Sequence, residues 1–354
     1  MTSISGKPAT AGTRPTAKQP RTVAVFGAGG HTAQFVVAHL LKRGWTPILS
    51  GRDATALRAC RDKYGELETR VASVEDPVSL DRALAGATAV INCAGPFLDT
   101  TAPVIEAALR AGIHYFDLAA EQAPVLATFE HFSEPARAAG VVVVPAMAFY
   151  GGLADLLATA AMGDWIRADE IQVAIALDSW QPTRGTRVTG QRNTSQRVVY
   201  ANHRLVPLAD PPPTRTWSFP APFGTQDVVA LPLSEIITIS RHLRAAEIHS
   251  YMNLAPLEDL RDPAVGPPTA ADESGRSAQV FMADVIVRKG GEERRAVARG
   301  RDIYAVTAPL VVEAVARIAG APTYAAGVMA PGELFDARDF LAALSPDDLV
   351  VDMF

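Results

Sequence analysis

A glycine-rich turn between an apolar strand and a helix constrains the fold of this chain more than any other feature. The segment Gly27-Ala28-Gly29-Gly30-His31-Thr32-Ala33 follows an apolar run that predicts a strand from Thr22 to Phe26. A glycine at 27 permits a sharp turn, and a missing side chain at 29 or 30 lets a pyrophosphate approach the backbone. A small residue at 33 keeps the next helix close to the sheet. The turn predicts a dinucleotide site whose contacts are Gly27, Gly29, Gly30, His31, Thr32 and Ala33.

The first 150 residues alternate short apolar runs with helical segments, as expected of a parallel sheet with helices on both faces. The predicted strands are Thr22 to Phe26, Thr46 to Ser50, Glu68 to Ser73, Thr88 to Cys93, Ile113 to Leu118 and Val141 to Pro145. Helices are expected from Gln34 to Arg43, from Asp53 to near Gly65, and from Pro77 onward. We therefore expect an α/β fold whose first domain, residues 21–150, is a Rossmann-type doubly wound parallel sheet.

Beyond residue 150 the pattern changes. The runs Gln279 to Lys289 and Glu293 to Arg299 are joined through two glycines, which tolerate the positive φ of tight turns, and so predict a hairpin. We expect a second α+β domain over residues 151–305 with a mainly antiparallel sheet. Residues 306–354, including a helix from Ala308 to Ala319, are expected to pack back on the first domain.

The residue after the second predicted strand separates NADP(H) from NAD(H). That strand runs into Ser50-Gly51-Arg52-Asp53, about twenty residues beyond the glycine-rich turn, where the adenosine ribose should lie. A carboxylate there would accept a bond from the ribose 2′-hydroxyl, whereas Arg52 can clamp a 2′-phosphate through its planar guanidinium. We predict NADP(H), bound by Ser50 and Arg52, with Asp53 as a helix N-cap. The alternative is NAD(H) with Asp53 as the ribose ligand.

A second loop leaves the fourth predicted strand at the expected switch point of the sheet, where open α/β sheets bind ligands. We expect it to line the nicotinamide half of the cofactor through Asn92, Cys93, Ala94, Gly95, Pro96 and Phe97. The alternative is a plain turn at Gly95-Pro96 with Phe97 in the core.

Composition excludes several classes of protein. Hydrophobic residues make up 48% and charged residues 20% of the chain, so a packed globular fold is expected. A net charge of −5 gives no footprint for nucleic acid or for a membrane surface, which leaves a small molecule as the expected partner. The only cysteines are Cys60 and Cys93, so we expect a reducing, cytoplasmic compartment and no metal site. Residues 1–20 are expected to be a disordered tail, with a targeting segment as the alternative.

Several segments resemble the saccharopine dehydrogenase-like family, which includes saccharopine reductases and trans-acting enoyl reductases. The shared segments are Val23 to Gly30, Leu49 to Arg52, Val90 to Phe97, Ala111 to Leu118 with Glu121, and Arg301 to Ala308. The resemblance implies a pyridine-nucleotide oxidoreductase, often dimeric, so we expect a homodimer. It also implies cofactor contacts at Gly27, Gly30, Ser50 and Arg52. Two departures are Ala33 in place of a glycine and His31 where an apolar residue is usual.

The expected chemistry is hydride transfer, because the motifs of other enzyme classes are missing. No tyrosine has a lysine four residues on, and the His-Glu-x-x-His and Gly-x-Ser-x-Gly motifs do not occur. Asp117, Glu121 and Tyr150 follow the fifth and sixth strands where the crevice should open, and Tyr304 begins the returning segment. We expect these four as acid/base or positioning residues. The alternatives are backbone bonding by Asp117, helix capping by Glu121 and a sealing role for Tyr150.

An arginine-rich stretch lies in the second predicted domain. Between Ser179 and Ala209 there are five arginines and no acidic residue. Since guanidinium groups bind planar anions, we expect Arg184, Arg187 and Arg192 to hold a substrate carboxylate or phosphate. A solvated strand face is the alternative. Two functions follow: an NADP(H)-dependent reduction of a C=N, C=C or C=O bond in a small metabolite, or a non-catalytic NADP(H)-binding regulator or sensor.

Overall fold

The computed structural model describes residues 21–321 and 324–354, so the expectation for residues 1–20 lies outside the described part. The described strands are β1 (Thr22–Phe26), β2 (Thr46–Gly51), β3 (Thr69–Val71), β4 (Ala89–Asn92), β5 (His114–Asp117), β6 (Val142–Val144), β7 (Ala168–Leu177), β8 (Val198–Ala201), β9 (Arg204–Pro207), β10 (Thr214–Ser218), β11 (Thr225–Ala230), β12 (Ala245–Asn253), β13 (Val280–Lys289), β14 (Glu292–Arg301), β15 (Gly327–Val328) and β16 (Val350–Met353). The described helices are α1 (His31–Lys42), α2 (Ala54–Tyr64), α3 (Pro77–Leu84), α4 (Phe97–Ala111), α5 (Gln122–Ala138), α6 (Ala154–Met162), α7 (Arg184–Arg192), α8 (Ser234–His242), α9 (Ala255–Arg261), α10 (Thr307–Gly320), α11 (Pro331–Leu334) and α12 (Ala337–Leu344).

The first sheet is parallel, with the strand order β15-β6-β5-β4-β1-β2-β3. The strands β1 to β6 have the Rossmann order, which confirms the predicted doubly wound sheet. The ends of these six strands lie within two residues of the predicted ends. Successive side chains of β1 enter different cores: Val23 and Val25 pack on one face and Ala24 on the other. This alternation follows from the two-residue period of a strand and leaves both faces covered by helices.

The helices of the first sheet begin close to the predicted positions. Helix α1 starts at His31 instead of Gln34. Asp53 caps α2, and α3 begins at Pro77 behind its cap Asp76. Each acidic cap accepts hydrogen bonds from two backbone amides of the first turn, which otherwise have no partner in the helix.

The second sheet is mixed and mostly antiparallel. Its main path is β10-β11-β12-β7-β13-β14-β16, with β8 pairing β12 and β9 pairing β8. The strands β7 and β12 are parallel to each other, and β13 and β14 form the predicted hairpin. The glycines of its turn, Gly290 and Gly291, have φ of +58° and +86°.

One hydrophobic core connects the two sheets. It includes Val25 of β1, Phe149, Val285 of β13 and Val311 of α10. Helix α10 also contacts α1, where Arg43 forms an ion pair with Glu313. The domain bounds at residues 150 and 305 stay predictions. Within the described ranges, every helix is too short or too polar to cross a membrane.

Candidate active site

The glycine-rich turn lies at the switch point of the first sheet, between β1 and β4. Gly27 has a φ of +84°, and a β-carbon there would lie 2.8 Å from the backbone nitrogen of Ala94. The amides of Gly27 and Ala28 both donate to the Ser50 carbonyl, at 2.8 and 3.0 Å. The turn is therefore held against the ends of both β2 and β4, and only glycine fits at its first position.

The start of α1 is free to bind an anion. Its N-cap, Gly30, has extended backbone and offers no side-chain acceptor to the first amides of the helix. Those amides and the helix dipole favour a phosphate group. Ala33 is fully buried against the sheet, as a small residue at this position requires.

Two buried polar atoms near this turn have no hydrogen-bond partner among the described residues. They are Oγ of Ser50, at the end of β2, and Nε2 of His31, at the start of α1. Buried polar atoms are nearly always satisfied, so unpartnered ones beside a phosphate-binding turn fit a bound ligand. The residues present therefore fit a dinucleotide.

Arg52 and Asp53 differ in how they are used. Arg52 is exposed directly beyond β2. Asp53 Oδ1 accepts hydrogen bonds from the amides of Ala56 (3.1 Å) and Thr55 (2.9 Å), and these bonds lower the pKa of the Asp53 carboxyl. The carboxylate is thus already engaged as a helix cap, which leaves Arg52 as the group that can meet a 2′-phosphate.

The loop after β4 is held by a buried hydrogen-bond network. The side-chain nitrogen Nδ2 of Asn92 donates to Thr100 Oγ1 and to Tyr115 Oη, both at 3.2 Å. The side-chain oxygen of Asn92 accepts from the backbone amide of Ala94 at 3.0 Å. Cys93, the next residue, has its thiol pKa raised by burial, which argues against a reactive thiolate. The bonds of Asn92 hold the loop in one conformation at the switch point of the sheet.

Helix α7 covers this loop from the second sheet. A β-carbon on Gly95 would lie 3.0 Å from Thr189 Oγ1 of α7. The peptide bond between Gly95 and Pro96 is cis, and Phe97 begins α4 with its side chain in a small core. Helix α7 therefore lies against the loop that is expected to line the nicotinamide half.

Asp117 and Glu121 both bond backbone amides. Asp117 is fully buried, and its Oδ1 accepts from the amides of Ala119 (3.0 Å) and Ala146 (2.7 Å). Glu121 accepts from the amides of Phe97 and Ala120, each at 3.1 Å. Burial raises the pKa of each carboxyl although these bonds oppose the shift. Both side chains fix the strand ends in place, which makes them positioning candidates.

Tyr150 lies in a distorted segment, Phe149–Leu153, that connects the two sheets. Its own backbone is extended, and Gly151 has a φ of +97°. The Tyr150 hydroxyl is buried and has no hydrogen-bond partner among residues 21–321 and 324–354, and burial raises its pKa well above the usual value. The ring packs on Phe149 and near Trp180.

Tyr304 connects α7 with the glycine-rich turn. Its hydroxyl accepts from Trp180 Nε1 at 3.1 Å and from the Thr183 amide at 3.3 Å, and it pairs with Thr186 Oγ1 at 2.9 Å. Its ring meets the imidazole of His31 edge-on. Burial is the main cause that lowers the pKa of that imidazole, so His31 is neutral near pH 7.

The three arginines expected to bind substrate lie on α7, a helix rather than a strand. Arg187 donates to the carbonyls of Leu260, Asp262 and Val265 at 2.6–3.2 Å. Arg192 forms an ion pair of 2.9 Å with Asp99 on α4. Arg184 is exposed at the start of the helix. In this conformation Arg184 has the guanidinium most available to an incoming anion.

Sequence reasoning missed one buried carboxylate, that of Glu235 in the first turn of α8. It is 3% exposed and lines the same cavity as Tyr150. The neighbouring Ser234 donates to the Ala119 carbonyl at 3.0 Å, which anchors α8 at the end of β5. Because this contact spans more than a hundred residues, no local motif signals it. The described residues contain no cluster of three or more metal-ligating side chains.

Residues 23–144 match the family model of the saccharopine dehydrogenase NADP binding domain. A saccharopine dehydrogenase-like oxidoreductase from Homo sapiens is 27% identical over 159 residues, which cover 40% of this chain and 37% of the relative. A trans-acting enoyl reductase from Mycobacterium ulcerans (strain Agy99) is 28% identical over 133 residues, covering 36% of this chain and 32% of the relative. The matches thus span about a third of the relatives' length.

The likeness extends further in three dimensions. Apo histidine-tagged saccharopine dehydrogenase (L-Glu forming) from Saccharomyces cerevisiae superposes with a TM-score of 0.67 at 12% identity, covering 94% of this chain and 99% of that chain. At this identity the match shows the fold, and it includes the second sheet. The domain family also confirms the predicted cofactor, NADP(H). Over residues 23–144, this chain is thus similar in sequence to the saccharopine dehydrogenase NADP binding domain, and its strand order is that of a dinucleotide-binding fold.

Proposed function

We propose that this chain is an NADP(H)-dependent oxidoreductase that transfers a hydride to a C=N, C=C or C=O bond of a small metabolite. The observation that carries the proposal is the contact between the two loops at the switch point. The Gly27 turn, fit for a pyrophosphate, packs directly against Ala94 in the loop after β4. A dinucleotide extended across that point would reach from Arg52 to the loop of residues 92–97.

The cofactor supplies the hydride, and the chain supplies binding and orientation. The amides at the start of α1 hold the pyrophosphate, Ser50 and Arg52 hold the adenosine half, and residues 92–97 line the nicotinamide half. Asp117 and Glu121 keep the ends of β5 and β6 at fixed distances from this loop through their amide bonds. Tyr150 is the proton donor of the proposal, since its hydroxyl has no hydrogen-bond partner within the part of the chain that the structure describes.

Helix α7 provides the wall opposite the cofactor. Arg184 is our candidate for an anionic group on the substrate, and Arg187 and Arg192 hold the helix in position through their carbonyl and Asp99 contacts. The enclosed Tyr150 hydroxyl also suits a second function, a non-catalytic NADP(H)-binding regulator or sensor. A structure with NADPH separates the two. An open cavity beside the nicotinamide supports the enzyme, and a blocked ring face supports the sensor.

A fluorescence titration with NADPH and NADH on the wild type and Arg52→Ala tests the cofactor assignment. We expect NADPH to bind more tightly than NADH, and Arg52→Ala to weaken NADPH binding about tenfold or more because a charge-assisted bond is lost. Arg58→Ala, an exposed arginine on α2, is the matched control. Equal binding of both nucleotides, or an unchanged NADPH affinity in Arg52→Ala, would refute the assignment.

We further propose a cytoplasmic homodimer with no nucleic-acid or membrane partner. The family resemblance supports the dimer, and the net charge of −5 argues against nucleic acid. Light scattering of the purified chain would test the dimer, since a monomer mass contradicts it.

A further inference from the structure

A small cavity lies beside the candidate active site, between the segment 149–153 and the second sheet. Most of its wall is apolar, formed by Val173, Ile175, Leu231, Leu233 and Met252. Tyr150 and Glu235 enter it from different elements, and Ser250 of β12 also lines it. Ligand-binding and active sites are typically apolar cavities into which a few polar groups converge.

Two oxygen atoms in this cavity are buried and unpartnered among the described residues: Oη of Tyr150 and Oε2 of Glu235. The other carboxylate oxygen of Glu235 accepts from the Leu233 amide at 2.9 Å. An orphaned hydroxyl and an orphaned carboxyl oxygen in one cavity are a donor and an acceptor that a single water molecule can join.

Burial favours a proton on Glu235. Burial raises the pKa of the Glu235 carboxyl, and the Ser250 hydroxyl, the Leu233 amide and Arg197 oppose the shift. Burial also raises the pKa of Tyr150, and the nearby Tyr304 and Glu235 add to that shift. Where α8 meets α6, the ionisable groups His242 and Asp155 pair with each other. Within the described part of the chain, Arg197 is thus the cation whose charge lowers the pKa of the Glu235 carboxyl.

We propose that Glu235 is a positioning residue that supplies protons to Tyr150 through one water molecule held between their free oxygen atoms. The proposal rests on the proposed function. Once the hydride of NADPH has reached the substrate, Tyr150 gives its proton to the developing anion. The water then protonates the phenolate and takes a proton from the Glu235 carboxyl. Glu235 is left as a carboxylate, which regains a proton from solvent, so no further reactant is needed.

The pair can be tested without a substrate. Carbon-13 NMR of protein labelled at the glutamate side-chain carboxyl would follow the titration of Glu235, identified by the resonance that disappears in Glu235→Gln. Glu235→Asp identifies the same resonance while keeping a carboxyl, in case Glu235→Gln does not fold. The exposed Glu66→Gln is the matched control for removing one negative charge.

We expect the Glu235 midpoint to lie above that of an ordinary glutamate and to rise further in Tyr150→Phe, because the water then loses the hydroxyl that orients it. An unchanged midpoint in Tyr150→Phe would overturn the link, as would a high-resolution structure with no water between the two side chains. NADPH titration of the same samples separates this test from the proposed function. Lost NADPH binding would refute the function, and an unlinked Glu235 would refute only this inference.

Discussion

The ring of Tyr304 lies edge-on to the imidazole of His31, with 5.5 Å between the ring centroids. His31 opens the helix after the glycine-rich turn, and Tyr304 belongs to the segment that returns from the second sheet. The Tyr304 hydroxyl also bonds the start of α7. One side chain therefore joins the glycine-rich turn to the helix that covers the loop after β4.

Replacing Tyr304 by Phe is expected to lower the free energy of unfolding by about 1–3 kcal/mol, since Trp180 Nε1 and the Thr183 amide lose their acceptor in a buried setting. Urea unfolding measures the change. Tyr64→Phe is the matched control, because the Tyr64 hydroxyl has one bond within the described ranges, to the Gln34 carbonyl. Equal losses in the two variants would contradict the role given to Tyr304.

Replacing Gly27 by Ala should abolish nucleotide binding and destabilise the chain, because the added carbon meets the backbone of Ala94 at 2.8–2.9 Å. Gly44→Ala is the control. Gly44 also has a positive φ, of +73°, but its β-carbon would meet nothing within 4 Å. Gly44→Ala should therefore cost only backbone strain, about 1 kcal/mol. Thermal unfolding and NADPH titration give both values, and similar behaviour of the two variants would exclude the clash.

The pair of His242 and Asp155 predicts a pH-dependent stability. Burial lowers the pKa of His242, but the charge of Asp155 and its hydrogen bond of 2.6 Å outweigh burial and raise the pKa overall. A folded-state pKa above the unfolded value means that protonated His242 stabilises the fold. This stability is fully present below about pH 6.5 and is lost as the pH rises through the folded pKa.

Urea unfolding of the wild type and of His242→Gln should therefore give a difference in the free energy of unfolding that falls with rising pH in that window. Asp155→Ala should cost about 3 kcal/mol at pH 6, because it leaves a buried charge and the Gly332 amide without their partner. A difference that rises across the same window would show the opposite sign of linkage for this pair.

Arg187 and Arg192 should differ in their contribution to stability. Arg187→Ala removes three bonds from a guanidinium to carbonyl groups and is expected to cost about 2 kcal/mol. Arg192→Ala removes one exposed ion pair and should cost less than about 1 kcal/mol. Denaturant midpoints compare them, and equal costs would mean that the carbonyl contacts of Arg187 add nothing.

Much of the first sheet could be predicted because its signals are local. Apolar runs of four to six residues, the glycine-rich turn and the acidic cap Asp53 each depend on neighbours in sequence. The strand β15 was missed because its two residues carry no periodic pattern. Helix α7 was missed because none of its side chains is buried, so it has no apolar face to detect.

The candidate site was harder to predict than the fold. The turn and Arg52 follow known spacings, but Glu235 lines the same cavity as Tyr150 through a helix, α8, that is anchored beyond the end of β5. Likewise, the carbonyl partners of Arg187 lie more than seventy residues away in sequence. Contacts of this kind depend on the packing of the second sheet, for which the chain offers no repeating motif.

The pairing of β15 with β6 has a consequence for synthesis on the ribosome. Gly327 and Val328 join Val142 and Val143, so the first sheet gains the strand β15 only after the strands β7 to β14 have been made. A nascent chain ending before residue 327 would expose the free edge of β6, a surface that favours pairing with other strands. Folding of the first sheet is therefore coupled to synthesis of the segment up to residue 328, and chains released before it should be prone to aggregation.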